Sequence, residues 1–440
     1  MDKKMFGMIS LGCDKNRVDG ERLLGEIKRR GHIITDNIAE AQVLIVNTCA
    51  FLNAARKEAI ETALECNGYR TRGKLEKLVV AGCLPKKYVG ELFPALTEAD
   101  IFLGVDDAPA LFDALEKSYA GARVNAVGAC AGAHFGERVV TTPFHVKYLK
   151  IADGCSNHCT YCLIPSIRGK YVSYPEEQLL AEARALGETE ELVLVAQDTT
   201  RYGEEQGENK FVELIKNLSK LDNICHIRLL YCYPDRISEG LISELKSNEK
   251  LIKYLDIPLQ HSEERVLKLM GRKGGREEFL ALFARLKKEV PGIAIRTTFI
   301  SGFPTETEEE HRRLIAFLEE AELDNCGFFA YSREEGTPAY KLKGQVPAAT
   351  KKRRVKELYA AQSRVSARKL ARRVGETLDV LCDGIDYEKS CFTGRAYFQA
   401  PEIDGAVYFT SPKATEGKRY LVKIERSDSY DLYGTAVEEQ

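Results

Sequence analysis

The sequence of 440 residues lacks the features that would direct a protein to a membrane or to nucleic acid. No apolar run approaches the length needed to span a bilayer, which argues against a transmembrane protein. The first ten residues also lack the apolar core of a signal peptide. The formal net charge is only −2, so the molecule as a whole has no electric field that would attract nucleic acid. We therefore expect a cytoplasmic protein that binds neither membrane nor DNA.

The overall composition is that of an ordinary folded protein, with 44% hydrophobic and 30% charged residues. A chain of this length is too long to fold around a single hydrophobic core, so roughly two to four domains are expected. There are thirteen cysteines, an odd number, and a cytoplasmic location would keep them reduced. Clustered cysteines are therefore expected to serve metal binding or catalysis rather than disulfide bonds.

Three of the cysteines occupy one short loop. Cys155, Cys159 and Cys162 follow an apolar segment at 148–152 in the spacing CxxxCxxC. Three thiolates supply three ligands to a metal centre and leave a fourth position open, as in a reaction centre. A closed zinc site would need a fourth ligand, and the nearby candidate, His158, adjoins Cys159 so directly that joint ligation would be strained. A structural zinc site remains the alternative.

This loop, with the aromatic Tyr161 before its last cysteine, resembles the signature of radical S-adenosylmethionine enzymes. In that family the three cysteines hold a 4Fe-4S cluster, and the amino and carboxylate groups of S-adenosylmethionine chelate its open iron. The resemblance therefore implies a 4Fe-4S cluster on Cys155, Cys159 and Cys162, with S-adenosylmethionine as cofactor.

Residues 1–120 alternate short apolar segments with helical patterns. This alternation predicts a domain built on a doubly wound parallel sheet, within an α/β protein. The predicted strands lie at 6–11, 43–46, 78–81 and 101–103, and the predicted helices lie at 18–30, 53–66 and near 86–92.

Three further cysteines, Cys13, Cys49 and Cys83, each follow a predicted strand of this first domain. In an open α/β sheet the loops at the carboxyl ends of the strands meet at one edge. The three thiols can therefore converge, although more than thirty residues separate each from the next. We expect them to bind a second cluster. The alternative is three buried, unreactive cysteines, since free cysteine is often buried.

Residues 121–146 form a predicted linker, and residues 147–372 repeat a strand-then-helix unit six times. The six repeats predict a partial, open TIM-type barrel. The predicted strands lie at 149–152, 192–196, 226–231, 254–258, 293–300 and 326–331.

Polar residues at the carboxyl ends of these strands are candidates for binding the cofactor, because active residues of such barrels project from there. Gln197, Gln260 and Ser301 follow the second, fourth and fifth predicted strands. We expect these three, together with Tyr161 of the cysteine loop, to bind the methionyl, ribose and adenine portions of S-adenosylmethionine.

The last third contains one strongly basic helical pattern and one acidic module. Residues 350–373 carry ten Lys or Arg and one acid, either as a solvated face or as a surface for RNA phosphate. Residues 373–440 show short strands and turns, which predict a small antiparallel barrel. Because residues 374–440 hold thirteen acidic and seven basic side chains, net −6, this barrel should repel phosphate and favour a basic protein.

Over essentially its whole length the chain resembles the methylthiotransferases of the radical S-adenosylmethionine superfamily. The resemblance implies a flavodoxin-like domain at 1–120, a radical core at 147–372 and a TRAM barrel at 373–440. Five segments are similar to the branch that modifies a ribosomal protein rather than tRNA. They are GCDKN at 12–16, AQDTTRYG at 196–203, RLLYCYP at 228–234, YLDIPLQH at 254–261 and EEGTPAY at 334–340.

The resemblance implies attachment of a methylthio group to the β-carbon of an aspartate in the basic twelfth protein of the small ribosomal subunit. It implies two 4Fe-4S clusters: one on Cys155, Cys159 and Cys162 for cleavage of S-adenosylmethionine, and one on the other triad for sulfur delivery. It also implies an electron donor, and a substrate that is free or within the ribosome. One departure is Tyr174, where the family usually has arginine.

Two other functions stay open from the sequence. The first is a tRNA adenosine methylthiotransferase, which the basic helix favours and the acidic barrel disfavours. The second is a zinc-containing RNA-binding protein without catalytic activity.

Overall fold

The computed structural model describes residues 2–130 and 136–439 and contains three units in chain order. The predicted linker at 121–146 includes residues 131–135, which lie outside the described residues. The division at residues 120, 146 and 372 stays a prediction. Because Val124–Asn125 pairs with the strand Ile101–Leu103, we propose that the first domain extends to residue 125.

The first unit is a parallel sheet of six strands with the neighbour order β2-β1-β3-β4-β5-β6. This is the order of flavodoxin-like sheets, so the predicted doubly wound domain is confirmed. The central strand β3 is apolar and wholly buried, as expected for a strand covered on both faces. The strands are β1 (Met5–Ser10), β2 (Ile33–Ile34), β3 (Val43–Thr48), β4 (Lys77–Gly82), β5 (Ile101–Leu103) and β6 (Val124–Asn125).

The helices of this unit begin close to the cysteines. Helix α1 begins at Asp14, four residues before the predicted start, because Cys13 takes the extended cap position and Asp14 places an acid in the first turn. Cys83 is the first residue of α4. The helices are α1 (Asp14–Arg29), α2 (Asn53–Asn67), α3 (Tyr69–Arg72), α4 (Cys83–Ala95) and α5 (Leu111–Tyr119).

The second unit is an open, wholly parallel sheet of six strands in the order β14-β13-β12-β11-β10-β7, which confirms the predicted partial barrel. A short antiparallel pair, β8 and β9, was not predicted, because two residues are too few to give a periodic signal. The strands are β7 (Val146–Lys150), β8 (Ala152–Asp153), β9 (Val172–Ser173), β10 (Thr189–Val195), β11 (Ile224–Leu229), β12 (Leu251–Asp256), β13 (Ala294–Ser301) and β14 (Asn325–Ala330).

Eight helices accompany these strands in the described part of the chain. They are α6 (Ile164–Arg168), α7 (Glu176–Ala185), α8 (Phe211–Ser219), α9 (Glu239–Ser247), α10 (Glu264–Leu269), α11 (Arg276–Glu289), α12 (Glu308–Ala321) and α13 (Ala348–Ala371).

The third unit is a closed barrel of five strands, as predicted for the carboxyl-terminal module. One pair, β17 with β19, is parallel rather than antiparallel. An odd number of strands cannot alternate in direction around a closed ring, so one parallel pair is unavoidable. The strands are β15 (Thr377–Asp386), β16 (Cys391–Arg395), β17 (Val407–Thr410), β18 (Arg419–Ser427) and β19 (Leu432–Glu439).

The small barrel packs against the inner face of the six-stranded sheet. Val193 and Tyr254 of the sheet share an apolar cluster with Val380 and Phe409 of the barrel. Buried Glu191 of β10 lies at the centre of the contact and accepts hydrogen bonds from Arg228 at 2.5 Å and Arg395 at 2.9 Å. The barrel thus covers the open side of the core instead of extending from it on a free linker.

The basic helix α13 is largely neutralised by its neighbours. Arg354 pairs with Glu306 at 3.0 Å, and Arg368 pairs with Glu319 at 2.8 Å. Arg353, Arg364, Lys369 and Arg372 pair similarly with acids between residues 308 and 324. These contacts favour a surface held by ion pairs over an RNA-binding surface.

In the part of the chain that the structure describes, no helix combines the length and apolar character that a bilayer span requires.

Candidate active site

The cysteine loop between β8 and β9 has a tightly constrained backbone. The Cys155 amide donates to the Gly169 carbonyl at 3.1 Å, and the Thr160 amide donates to the Met270 carbonyl at 2.9 Å. Gly154 has φ +70°, and a Cβ atom there would lie 2.0 Å from the Lys170 carbonyl oxygen. Only glycine fits at this entrance to the loop.

We expect Gly154→Ala to prevent the loop from holding its metal centre, because the added methyl group overlaps backbone atoms. Iron content after anaerobic reconstitution should fall from two clusters per chain toward one. Gly187→Ala is the matched control, since Gly187 has nearly the same φ, +69°, but nothing within 4 Å of its added Cβ. Equal iron content in both variants would refute this role for Gly154.

The three thiols of this loop lie close to one another in a buried setting. Burial raises the pKa of Cys155 to about 11, and the neighbouring Cys159 adds to the shift. Burial likewise raises the pKa of Cys162 to about 12, with Cys159 and Cys155 adding to it. Three thiolates can therefore coexist here only when positive charge is present, as a bound metal centre would provide.

The second predicted triad converges at the carboxyl edge of the first sheet. Burial raises the pKa of Cys83 to about 11, and Cys13 and Cys49 add to the shift. Gly12, with φ +111°, lets the loops approach, because a Cβ atom there would lie 3.0 Å from the Cβ of Cys49. The alternative of three buried, unreactive cysteines fits less well, because Cys13 is exposed and Cys49 is partly exposed.

Arg168, the last residue of α6, connects the second triad to the segment that carries the first, because α6 follows the cysteine loop. Its Nη2 donates to the Sγ of Cys83 at 3.3 Å. Its Nη1 donates to Asp19 of α1 at 2.9 Å and to Asp153 of β8 at 3.0 Å. The Nζ of Lys150 lies 2.6 Å from both carboxylates, which completes a buried network with no net charge.

This network favours the ionised form of Asp153. Burial alone would raise the pKa of Asp153, but Arg168 and Lys150 hold it well below its ordinary value. Tyr174, at the position where an arginine is usual, is buried with its ring 5.7 Å from the Lys150 ammonium. The aromatic ring therefore packs on the network at this position and adds no further charge.

A second arginine lies beside the loop of Cys155, Cys159 and Cys162, which we call the radical-type loop. Nη1 of Arg272 is 3.9 Å from the Sγ of Cys159, and its guanidinium stacks 4.3 Å from the ring centre of Tyr233. Neither Arg168 nor Arg272 could be found by spacing, since 85 and 113 residues separate them from the thiols they approach.

The ligand chemistry of both triads suits iron–sulfur clusters. All thirteen cysteines lie in the described residues, and each is a free thiol. Among the described residues, no three His, Cys, Asp or Glu side chains come close enough to bind a single metal ion. The cysteines of a cluster bind different iron atoms, so their sulfurs lie farther apart than those around one zinc. Soft thiolate ligands with a guanidinium donor nearby suit such a cluster.

The four candidates for S-adenosylmethionine binding occupy different settings. Gln197 donates to Asp153 at 3.4 Å, and its buried Oε1 has no hydrogen-bond partner among the described residues. Gln260 has φ +76°, a strained conformation for a residue with a side chain. Ser301 is fully buried and donates to Glu306 at 3.3 Å, while Tyr161 is partly buried beside its cysteines. Their role in binding the cofactor stays a prediction.

Comparison with known proteins agrees with this architecture in each unit. Residues 149–318 match the radical SAM superfamily, residues 374–437 match the TRAM domain, and residues 5–104 match the uncharacterized protein family UPF0004. The cobalamin-dependent S-adenosylmethionine radical enzyme OxsB has a similar fold, with a TM-score of 0.51 at 12% identity. That match covers 79% of this chain and 57% of the other.

Two relatives are similar over their full length. Ribosomal protein uS12 methylthiotransferase RimO of Clostridium botulinum is 43% identical, with 100% of this chain and 99% of that protein covered. The protein of the same name from Trichlorobacter lovleyi is 44% identical, with 99% of each chain covered.

The fold and the two cysteine triads thus define a radical S-adenosylmethionine enzyme of the methylthiotransferase class. This class implies two 4Fe-4S clusters and S-adenosylmethionine as cofactors. Within it, the chain belongs to the family of ribosomal protein uS12 methylthiotransferases.

Proposed function

We propose that this protein attaches a methylthio group to the β-carbon of an aspartate in ribosomal protein uS12. The observation that carries the proposal is the contact of buried Arg168, which follows the loop of Cys155, Cys159 and Cys162, with Cys83 of the second triad. Full-length similarity to relatives that are named for this reaction supports the substrate.

The chemistry of the substrate explains why two triads are needed. An aliphatic C–H bond offers no proton that a side-chain base could remove, so an acid–base site would not suffice. When bound, the two clusters and S-adenosylmethionine supply the radical, the sulfur and the methyl group. We propose that Cys155, Cys159 and Cys162 hold the first cluster.

We propose that Cys13, Cys49 and Cys83 hold the second cluster. Cys155 and Cys159 are each less than a tenth exposed, so the chain keeps most water from the first centre, whereas Cys13 of the second triad is exposed. Exclusion of water protects reactive species from side reactions. The guanidinium groups of Arg168 and Arg272 provide positive charge beside the thiolates.

The charge distribution supports a basic protein substrate rather than tRNA. A cavity of about 240 Å³ between the small barrel and the core is lined partly by Asp383, Glu402 and Asp404, and each of these acids is paired with an arginine. Glu402 pairs at 2.9 Å with Arg17, four residues after Cys13, so the cavity adjoins the second triad. The acidic excess belongs to residues 374–440 as a whole, whose net charge of −6 would attract a basic segment and repel phosphate.

The remaining partners follow from the reaction. An electron donor must reduce the first cluster, and we place the protein in the cytoplasm because its proposed substrate belongs to the ribosome.

The test is incubation of the reconstituted protein with S-adenosylmethionine, dithionite and either uS12 or bulk tRNA. We expect a methylthio group on one aspartate of uS12 by mass spectrometry and none on tRNA nucleosides. The Cys155→Ala protein serves as the inactive control. Methylthiolated adenosine with unmodified uS12 would overturn the proposal.

A further inference from the structure

Arg168 makes two kinds of contact with the two ends of one guanidinium group. Nη1 binds Asp19 and Asp153, and these carboxylates are also bound by Lys150. Nη2 points the other way and donates to the Sγ of Cys83. The side chain is 1% exposed, so water does not compete with these bonds.

The ion pairs with Asp19 and Asp153 do not explain why Arg168 also contacts the sulfur of Cys83. Two cations and two carboxylates already balance one another, whereas the second triad carries three thiolates when a cluster is bound. Arginine suits this position because its planar fork can bind a carboxylate and a sulfur simultaneously.

We propose that Arg168 is a positioning residue for the second cluster, and that its hydrogen bond to Cys83 raises the reduction potential of that cluster. The inference rests on the proposed function, in which Cys13, Cys49 and Cys83 bind iron. Hydrogen bonds to cluster sulfurs and nearby positive charge favour the reduced, more negative state. Because α6 begins two residues after Cys162, the same residue also sets the placement of Cys83 relative to the radical-type loop.

The experiment uses the full-length chain with Cys155, Cys159 and Cys162 replaced by alanine, so that the second triad is the one left to bind a cluster. Iron per chain is measured, and the reduction potential is determined by a redox titration followed by electron paramagnetic resonance. Arg168→Gln in this parent should disfavour reduction at least tenfold, which is about 59 mV for one electron.

Two further variants distinguish an effect of the contact between Arg168 and the Cys83 sulfur from a general effect on packing. Arg168→Lys keeps a positive charge facing Asp19 and Asp153 but cannot also reach Cys83 in the same geometry, so we expect a smaller shift in the same direction. Arg138→Gln is the matched control. Arg138 is 2% exposed at the same domain interface and pairs with Glu21 at 2.8 Å, so its loss perturbs packing without touching a thiol.

The outcomes distinguish this inference from the proposed function. An unchanged potential in Arg168→Gln and Arg168→Lys, with iron retained, overturns the inference alone. An equal shift in Arg138→Gln overturns it as well, because the effect would then be structural. A parent without iron overturns the proposed function and the inference with it. A shift in the Arg168 variants alone supports both.

Discussion

Cys159→Ala is expected to abolish cleavage of S-adenosylmethionine, whereas Cys49→Ala should leave cleavage intact and abolish methylthio transfer. On the proposed assignment, Cys159 would hold the cluster that supplies the electron for cleavage, so its loss would remove that centre. Cys49 would hold the second cluster, which would supply sulfur and is not needed for cleavage. Deoxyadenosine is measured by chromatography, and modification of uS12 is measured by mass spectrometry.

Cys66→Ala is the control for both substitutions. Cys66 is a buried free thiol of α2, and burial raises its pKa to about 11, but no cysteine contributes to that shift. Both activities should survive its replacement. If Cys159→Ala and Cys49→Ala yielded equal amounts of deoxyadenosine, the proposed division of labour between the triads would be wrong.

Lys150→Met is expected to lower the free energy of unfolding by about 3–5 kcal/mol, because removal of one partner leaves buried charges uncompensated. Lys150 is 0% exposed and lies 2.6 Å from both Asp19 and Asp153, which come from different domains. The loss should therefore also weaken the contact between the first domain and the core. Denaturant unfolding can be followed by tyrosine fluorescence, since the chain has twenty tyrosines and no tryptophan.

Two comparisons test the cause of this destabilisation. Lys74→Met removes a lysine that is 63% exposed and pairs with Glu40, so it should cost about 0–1 kcal/mol. The double variant Lys150→Met with Asp19→Asn removes one charge of each sign, and it should recover part of the stability lost in Lys150→Met. A cost for Lys150→Met no greater than that for Lys74→Met would show that the network does not hold the domains together.

The fold could be predicted from the sequence wherever a local pattern of residues indicates a strand or a helix. The six core strands lie within a few residues of their predicted positions, because buried parallel strands are short apolar runs between helical patterns. Four of the six strands of the first sheet followed from the same alternation, whereas the two-residue strands Ile33–Ile34 and Val124–Asn125 were not predicted. The pairing of the final strand of the small barrel, Leu432–Glu439, is decided by closure of the ring and not by its own residues.

The basic helix shows where a local pattern is ambiguous. Ten basic residues between 350 and 373 fit either a surface for phosphate or a face bound to acids, and composition alone does not separate these. Which of the two alternatives holds depends on which helix packs against residues 350–373. Helix α12 and the residues beside it place Glu308, Glu319 and Glu322 next to that face, and this neighbour is set by tertiary packing.

By itself, the sequence determined the CxxxCxxC loop, the placement of Cys13, Cys49 and Cys83 after parallel strands, and the acidic charge of the last domain. The spacing of cysteines, their position after apolar strand patterns and the composition are local or additive properties, so they can be read without coordinates. Only the tertiary structure decided that Arg168 contacts Cys83, that Arg272 adjoins Cys159 and that the small barrel covers the core. Each of these contacts joins residues distant in sequence, and such contacts arise when separately formed elements pack together.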